Sequence, residues 1–375
     1  MSRFKVALFT GNYNHIRDGV SLTLNRLVRF LLDQDVDVKV FGPTIDQPAM
    51  DHEGIFIAVP SVSLPGRPEY RMSTSLSSEA KRHLRDFKPD LVHIATPDVL
   101  GYKALRWAMD HDKPVVSSYH THFPSYLKYY KLSVLEPLLW KYLNWFYSHC
   151  EQLYVPTPSM AEWLKEQGVQ TDLKIWARGI ETDKFDPCKR DDAWREKHGI
   201  QPDDVVITFI SRLVWEKNLE LYATVVKRLQ QKYKQVRAMV VGEGPAGDGL
   251  KQMLPNAVYT GFLTGEELAK SYANSDVFFF PSDTETFGNV TLEAMASGLP
   301  CVVADAVGSK SLVDHEENGY LAPVENTDLF YSYIEKLVLN PDLRKKMADA
   351  SLQKAKQYSW QNINGNLLSY YEQVL

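Results

Sequence analysis

The sequence predicts an α/β protein made of two doubly wound, Rossmann-like domains. Three observations carry this. Short apolar runs recur along the chain, many of them unbroken rather than alternating, as in strands buried on both faces of a parallel sheet. Amphipathic stretches with helical spacing fill the intervals between them. The alternation then restarts past the middle of the chain, so one strand–helix series follows another.

In the first series the strand candidates are 6–10, 38–41, 55–59, 91–95, 115–119 and 153–156. The clearest helix is 20–32, where Leu24, Leu27, Val28, Leu31 and Leu32 recur at helical spacing. Further helices are expected at 76–87, 100–110 and in a long aromatic stretch, 126–147. The second series reads as strands at 205–210, 237–241, 257–260, 277–281 and 301–304. Helices are expected between them at 219–232, 265–274 and 287–297, and after them at 327–339. The break is expected within 179–194, a charged segment with Pro187 and no periodicity. That gives domains 1–180 and 181–359. No low-complexity tract or residue-level repeat is visible.

With 375 residues, 44% hydrophobic and 24% charged, the chain has an ordinary soluble composition and enough length for two or three domains. Its 42 basic residues against 47 acidic ones leave −5, which argues against nucleic acid as a partner. Cys150, Cys188 and Cys301 are too few and too scattered for a disulfide framework or a metal cluster. They fit a reducing compartment. The chain opens on a strand-like segment with no leader-like apolar core, and no apolar run approaches the roughly 18 residues of a spanning helix. A cytoplasmic protein is expected. Peripheral attachment to the inner face of the cell membrane stays open.

Sheets of this kind take ligands beyond the carboxyl ends of their strands, and a ligand shared by two facing domains sits in the cleft. Polar residues just after strand ends therefore matter most. In SDTETFGNVTLEAMASGLP (282–300) a strand delivers the chain to a short loop, and a helix is expected from Thr286 or Phe287. Glu285 and Glu293 are eight residues apart, about 12 Å along the axis if both are helical. They could serve two ends of one elongated ligand. The amides of Phe287, Gly288, Asn289 and Val290 would sit at the positive helix end, a natural anion site, with Gly288 allowing close approach. An ordinary capped amphipathic helix explains the same spacing equally well.

In FISRLVWEKN (209–218), Arg212 and Lys217 follow a strand, five residues apart, and suit a diphosphate. Taken alone they read more simply as solvated surface cations. In VVSSYHTHFPSY (115–126), His120 follows a strand with His122 two residues on. No third ligand of suitable spacing accompanies them, so a metal is not expected, and a histidine contacting a sugar hydroxyl or moving a proton is. Gly11 and Gly19 flank a polar loop before the first helix, and GEGP (242–245) follows a strand as a weaker glycine signal that a plain turn also explains.

The order of these motifs resembles that of the retaining, GT-B glycosyltransferases of family four, over essentially the whole chain. The matches are DGV at 18–20, HTH at 120–122, RGI at 178–180, SRL and EKN within 211–218, and GEGP. They continue with the E-x7-E motif from Glu285 to Glu293 followed by AMASGLPCV, and NGYLAP at 318–323. The texture is similar to bacterial members that transfer mannose, glucose or sulfoquinovose onto lipids or glycans. One departure is GSKSLV at 308–313, where many members carry a second glycine and a glutamate.

The resemblance implies an expected function: transfer of a hexose from a nucleoside-diphosphate sugar (GDP-mannose or a UDP-hexose) to a lipid or glycan, forming an α-glycosidic bond. It implies that Arg212 and Lys217 hold the donor diphosphate and that Glu293 binds the ribose hydroxyls. Glu285, with the amides of Phe287, Gly288 and Asn289, would hold the hexose, and Val290 would meet the phosphate through its backbone. Gly19 would approach the diphosphate, and His120 the sugar near its reacting carbon. The C-terminal domain would bind donor and the N-terminal domain acceptor, with a last helix over 360–375 returning to the N-terminal domain.

No metal and no other cofactor is expected, since two cations already face the leaving group. The Asp35/Asp37 pair reads as surface charge. The rivals are a non-catalytic sugar-nucleotide-binding protein and an NAD-dependent oxidoreductase. The latter is disfavoured because the first strand lacks GxGxxG. A phosphorylase-like enzyme would need a pyridoxal-binding lysine, which the sequence does not single out. The 126–147 stretch, with Lys128, Lys131 and Lys141 among its aromatics, reads as a buried helix, with a bilayer-interface role as the alternative.

Overall fold

Unbroken apolar runs become parallel strands. The protein, seen here as a computed structural model, is described over residues 2–64, 67–120, 133–285 and 287–375. The chain divides into two compact units, Met1–Ala177 with Gln361–Leu375, and Arg178–Trp360. The charged 179–194 segment thus lies wholly in the second.

The first unit contains β1 (Lys5–Phe9), β2 (Asp37–Gly42), β3 (Ile55–Ala58), β4 (Ser61–Leu64), β5 (Arg67–Ser73), β6 (Leu91–Ile94), β7 (Val115–Ser118), β8 (Gln152–Val155) and β9 (Asp172–Ile175). All but β4 and β5 form one seven-stranded sheet in the order β3-β2-β1-β6-β7-β8-β9. Val6 stands opposite both Val38 and Leu91, so β1 is central and takes no polar partner in register there. β4 and β5 pair as an antiparallel hairpin that the sequence pattern did not reveal. The edge strand β9 was also missed: Asp172–Ile175 is short, half polar and only partly buried.

The second unit contains β10 (Val205–Ile210), β11 (Val236–Val241), β12 (Val258–Gly261), β13 (Val277–Phe280), β14 (Cys301–Ala304) and β15 (Gly319–Ala322). They form a six-stranded sheet in the order β12-β11-β10-β13-β14-β15. Each unit therefore repeats the doubly wound order in which the chain starts at mid-sheet, winds outward and then reverses. Every residue of β10 and β13 is buried. Phe278, Phe279 and Phe280 are fully enclosed, each worth about 1.5–3 kcal/mol on burial.

Helices form where caps and apolar stripes agree. Gly19–Asp33 starts at Asp18, whose carboxylate accepts from the Ser21 amide at 2.8 Å. Pro341–Gln357 was not foreseen, because its buried face is Met347, Ser351 and Ala355 rather than an apolar stripe. The signal lay in its cap: Asn340 accepts from Leu343 N at 2.9 Å and Pro341 opens the helix. The short helix Asp192–Lys197 begins inside the segment expected to be irregular.

The last helix, Trp360–Val374, buries Leu367, Leu368 and Tyr371. The Tyr371 hydroxyl meets His93 Nδ1 at 2.6 Å, while His93 Nε2 meets Ser118 Oγ at 3.0 Å. Burial pushes the His93 ring down to about 3, helped by the neighbouring His120, so it stays neutral and serves as a structural rivet. Among the described residues, no helix is long and apolar enough to cross a membrane.

Candidate functional site

β10 and β13 are neighbours in the second sheet but not consecutive in the chain. They mark the point where the winding reverses, and a doubly wound sheet takes its ligand outside the carboxyl ends of such strands. The two strongest sequence motifs leave the sheet at this point. After β10 come Ser211, Arg212 and a single 3-10 turn, Trp215–Lys217; after β13 comes the loop to Glu285.

The structure joins the two motifs through one ion pair. The Lys217 ammonium donates to Glu285 Oε1 at 2.6 Å and to Thr284 Oγ1 at 2.8 Å. The two charged side chains are only 10% and 22% exposed. An ammonium this enclosed needs a counter-charge, and Glu285 is that counter-charge. An ammonium has three hydrogens, so one more acceptor can be taken on. Asn218 holds the arrangement in register. It adopts a left-handed conformation (φ 57°), which asparagine tolerates, and its amide donates to the Pro281 carbonyl at 2.8 Å. The end of β13 is thereby clipped to the turn after β10.

Arg212 is exposed and has no hydrogen-bond or ion-pair partner among the described residues. Its backbone, by contrast, is firmly braced. Leu213 N donates to Glu243 O at 2.9 Å and Ala246 N to Leu213 O at 2.9 Å. A Cβ on Gly242 would lie 1.9 Å from the Ser211 carbonyl oxygen, and one on Gly244 would lie 2.4 Å from that of Leu213. The GEGP glycines therefore permit backbone packing behind Arg212. A plain turn does not describe them.

The helix after Glu285 starts later than expected. It spans Asn289–Ala296, with Gly288 as its cap, so Glu285 lies in the loop and the two carboxylates do not share a helix. The amides of Asn289 and Val290 open the helix, and helix-opening amides have no partner inside the helix. Gly288 has φ 92°, whereas a Cβ there would meet only ordinary contacts at 3.5 Å or more. Conformation thus calls for glycine at 288 more than space does. Phe287 is buried, its ring against Tyr358 at 6.1 Å.

Glu293 faces a different environment. The Tyr272 hydroxyl donates to its Oε2 at 2.9 Å. Burial pushes its carboxyl up to about 7, against opposing effects from Tyr272 and Lys184, with Glu181 adding to the rise. Tyr272 and the Glu181–Lys184 stretch gave no sequence signal for this role, because their partner lies far along the chain.

Gly308 was also missed. A Cβ there would lie 2.7 Å from the Glu285 carbonyl oxygen and 3.1 Å from the Glu285 Cβ. The segment 308–313 departs from the usual family pattern, yet its first glycine fixes where the Glu285 backbone runs.

His120 and Gly19 lie in the first unit. His120 follows β7, half-buried, with its ring 5.1 Å from Trp176. Gly19 is exposed at the start of its helix. His122 falls outside the described residues, as do 126–132 of the aromatic stretch. Within the described remainder, 133–147, the helix Glu136–Tyr147 is core on one side (Trp140, Leu143, Phe146, Tyr147) and exposed at Leu138 and Trp145.

Comparison with known proteins follows the same two-part division. Residues 17–184 match the family model described as Glycosyltransferase Family 4, and residues 190–354 match Glycosyl transferases group 1. The GDP-mannose-dependent alpha-mannosyltransferase of Mycolicibacterium smegmatis is 30% identical over 99% of this chain and 98% of its own. A sulfoquinovosyl transferase of Arabidopsis thaliana is 28% identical over 91% of this chain and 68% of its own. The solved structure of sucrose-phosphate synthase from Thermosynechococcus elongatus superposes with a TM-score of 0.70 at 17% identity, covering 99% of both chains.

Proposed function

The chain belongs to glycosyltransferase family 4 and is a glycosyltransferase with the two Rossmann-like domains of the GT-B fold; from that premise we propose that it moves a hexose from a nucleoside-diphosphate sugar, GDP-mannose or a UDP-hexose, to a lipid or glycan acceptor, with retention and without a metal. The mycobacterial relative uses GDP-mannose, and the plant relative transfers sulfoquinovose. The observation that carries the donor site is the Lys217–Glu285 pair at the reversal point of the second sheet.

Donor diphosphate takes the remaining hydrogen of Lys217 and the exposed guanidinium of Arg212. As the anomeric C–O bond breaks, its electron pair leaves on the diphosphate. Each cation 4 Å from that growing charge contributes about 4 kcal/mol of gross attraction at an effective dielectric of 20. The Asn289 and Val290 amides are fixed dipoles aimed at the same charge and need no reorganisation when it forms. The acceptor hydroxyl attacks the face the leaving group departs from, and its proton passes to the departing phosphate oxygen. No nucleophile from the protein is then required. Glu285, held by Lys217, accepts hydroxyl hydrogens of the hexose. Glu293 accepts those of the ribose.

Calorimetric titration with GDP-mannose and a panel of UDP-hexoses tests this. One donor class should bind wild-type protein, and Arg212→Ala should weaken its diphosphate. Failure of every donor to bind, or full affinity in the variant, overturns the assignment.

A further inference from the structure

The returning helix Trp360–Val374 buries two polar side chains, Asn364 and Tyr371, on the face it turns to the first unit. They lie seven residues apart, two helical turns, and so share a face. Each leads to His120 by its own route.

The first route runs through Trp176. β7, β8 and β9 are successive neighbours in the sheet, and His120 and Trp176 lie just past the ends of β7 and β9. Trp176 N donates to the Val155 carbonyl at 2.8 Å, which ties its backbone to the end of β8. Its buried ring meets the His120 ring edge to face, at 5.1 Å and 68°. The indole nitrogen donates to Asn364 Oδ1 at 3.4 Å. The second route runs through His93. The bond from Tyr371 to His93 continues on the other ring nitrogen to Ser118 Oγ. Ser118 ends β7, two residues before His120. The His93 ring also meets that of Trp176 at 6.0 Å, so the two routes brace each other.

Adhesion alone does not account for Asn364 and Tyr371. The same helix already buries Ile363, Leu367 and Leu368. Apolar groups of the same shape can replace a buried hydrogen-bonded pair at little cost in stability. What the polar pair adds is direction, because hydrogen bonds weaken steeply when misaligned. Asn364 holds the tilt of the indole, and the indole limits the plane of the imidazole against it. Tyr371, through His93, holds the end of the strand that carries His120.

We propose that Asn364 and Tyr371 are positioning residues for His120, so that the C-terminal helix sets the ring that meets the donor sugar. The proposal rests on the reading of His120 as the group beside the reacting carbon.

Kinetics, calorimetry and histidine NMR of the full chain test it together. Tyr371→Phe deletes one hydroxyl, and Asn364→Leu deletes one acceptor at similar volume. Each should lower kcat about tenfold, within the range that a misplacement of up to 1 Å can cost. Donor affinity should stay at the wild-type value, since Arg212, Lys217, Glu285 and Glu293 belong to the second unit. Melting temperatures above the assay temperature show that both variants are folded. In a His120→Ala background neither substitution should lower kcat further, because changes that act through one group are not additive. The His120 ring signal, identified by its absence from His120→Ala, should shift in Asn364→Leu. Wild-type kcat in both single variants, losses that multiply with that of His120→Ala, or an unmoved His120 signal overturns the proposal alone. Wild-type kcat in His120→Ala overturns the role of His120 itself, and the proposal falls with it.

Discussion

Arg212 and Lys217 stand five residues apart and serve one diphosphate in the proposed mechanism, yet replacing them should have different consequences. Arg212 is exposed and unpartnered among the described residues, so Arg212→Ala removes no contact that the fold uses. Melting should stay within about a degree of wild type, as is usual for a surface change. The loss should fall on catalysis: one cation at 4 Å is worth about 4 kcal/mol gross at an effective dielectric of 20, and desolvation takes back part of it. A fall in kcat/KM of about 10²–10³ is expected, the size seen when one donor to a developing anion is deleted. Lys217→Ala should lose the same activity and stability as well. It strands Glu285, 22% exposed, without the ammonium now 2.6 Å away. Breaking such a pair costs about 3 kcal/mol, or 6–12 °C in a unit of this size. Adding Glu285→Gln removes the stranded charge, so the double variant should regain most of the melting temperature and none of the activity. The assays are differential scanning calorimetry and initial rates with saturating acceptor. If Arg212→Ala keeps wild-type kcat/KM, or if Lys217→Ala melts like wild type, the reasoning from this ion pair is wrong.

Gly308→Ala should cost about 1–3 kcal/mol of stability and slow the reaction as well. Its new methyl would sit 2.7 Å from the Glu285 carbonyl oxygen, and displacement of a positioned group by up to 1 Å costs as much as 10² in kcat/KM; steady-state kinetics would read it. Glu293 should make donor binding pH-dependent. Its folded value of about 7 lies above the ordinary carboxylate value, so its contribution to stability is full below that ordinary value and is lost as pH rises through 7. Ribose hydroxyls donate to the ionised form, so nucleoside-diphosphate affinity should fall about tenfold per pH unit below 7. Calorimetry should find that slope in wild type and find it gone in Glu293→Gln. EDTA should leave turnover unchanged; loss restored by a divalent ion would replace the two-cation account. Proton NMR of the product should show the donor's α configuration, and a β-linked product would rule out same-face attack.

Much of this fold was legible because parallel strands buried on both faces leave unbroken apolar runs. The strands Val205–Ile210 and Cys301–Ala304 and the helices Leu219–Lys232 and Thr327–Leu339 match their expected limits residue for residue. The missed strands and the helix Pro341–Gln357 have separate physical causes. Asp172–Ile175 and Gly319–Ala322 are short and close the edges of their sheets. Edge strands need less apolar surface, so they print a weaker pattern. The hairpin strand Ser61–Leu64 alternates polar and apolar residues but buries none of them, so its pattern marks no core face. Pro341–Gln357 packs through small residues, which a search for large apolar positions cannot see.

The site was legible in its charges and not in its supports. Glu285 and Glu293 stood out by their eight-residue spacing, and Arg212 and Lys217 by following a buried strand five residues apart. What holds them does not stand out. Gly308 acts on Glu285 from 23 residues away in sequence, and Tyr272 reaches Glu293 from 21. Gly242 and Gly244 act on the chain beside Arg212 by lacking a side chain. The charge of Lys217 also means something different once its setting is known. Read from spacing, it was a surface cation waiting for phosphate. In the fold it is a buried cation already paired with the carboxylate proposed to hold the sugar. Drawing Lys217 toward a diphosphate therefore loosens its hold on Glu285, and a hexose hydroxyl donating to Glu285 restores the lost partner. A nucleoside diphosphate alone leaves that carboxylate half-compensated, whereas the intact sugar donor satisfies both ends. On this argument the intact donor should bind more tightly than the bare diphosphate in wild type, and Glu285→Gln should narrow the gap.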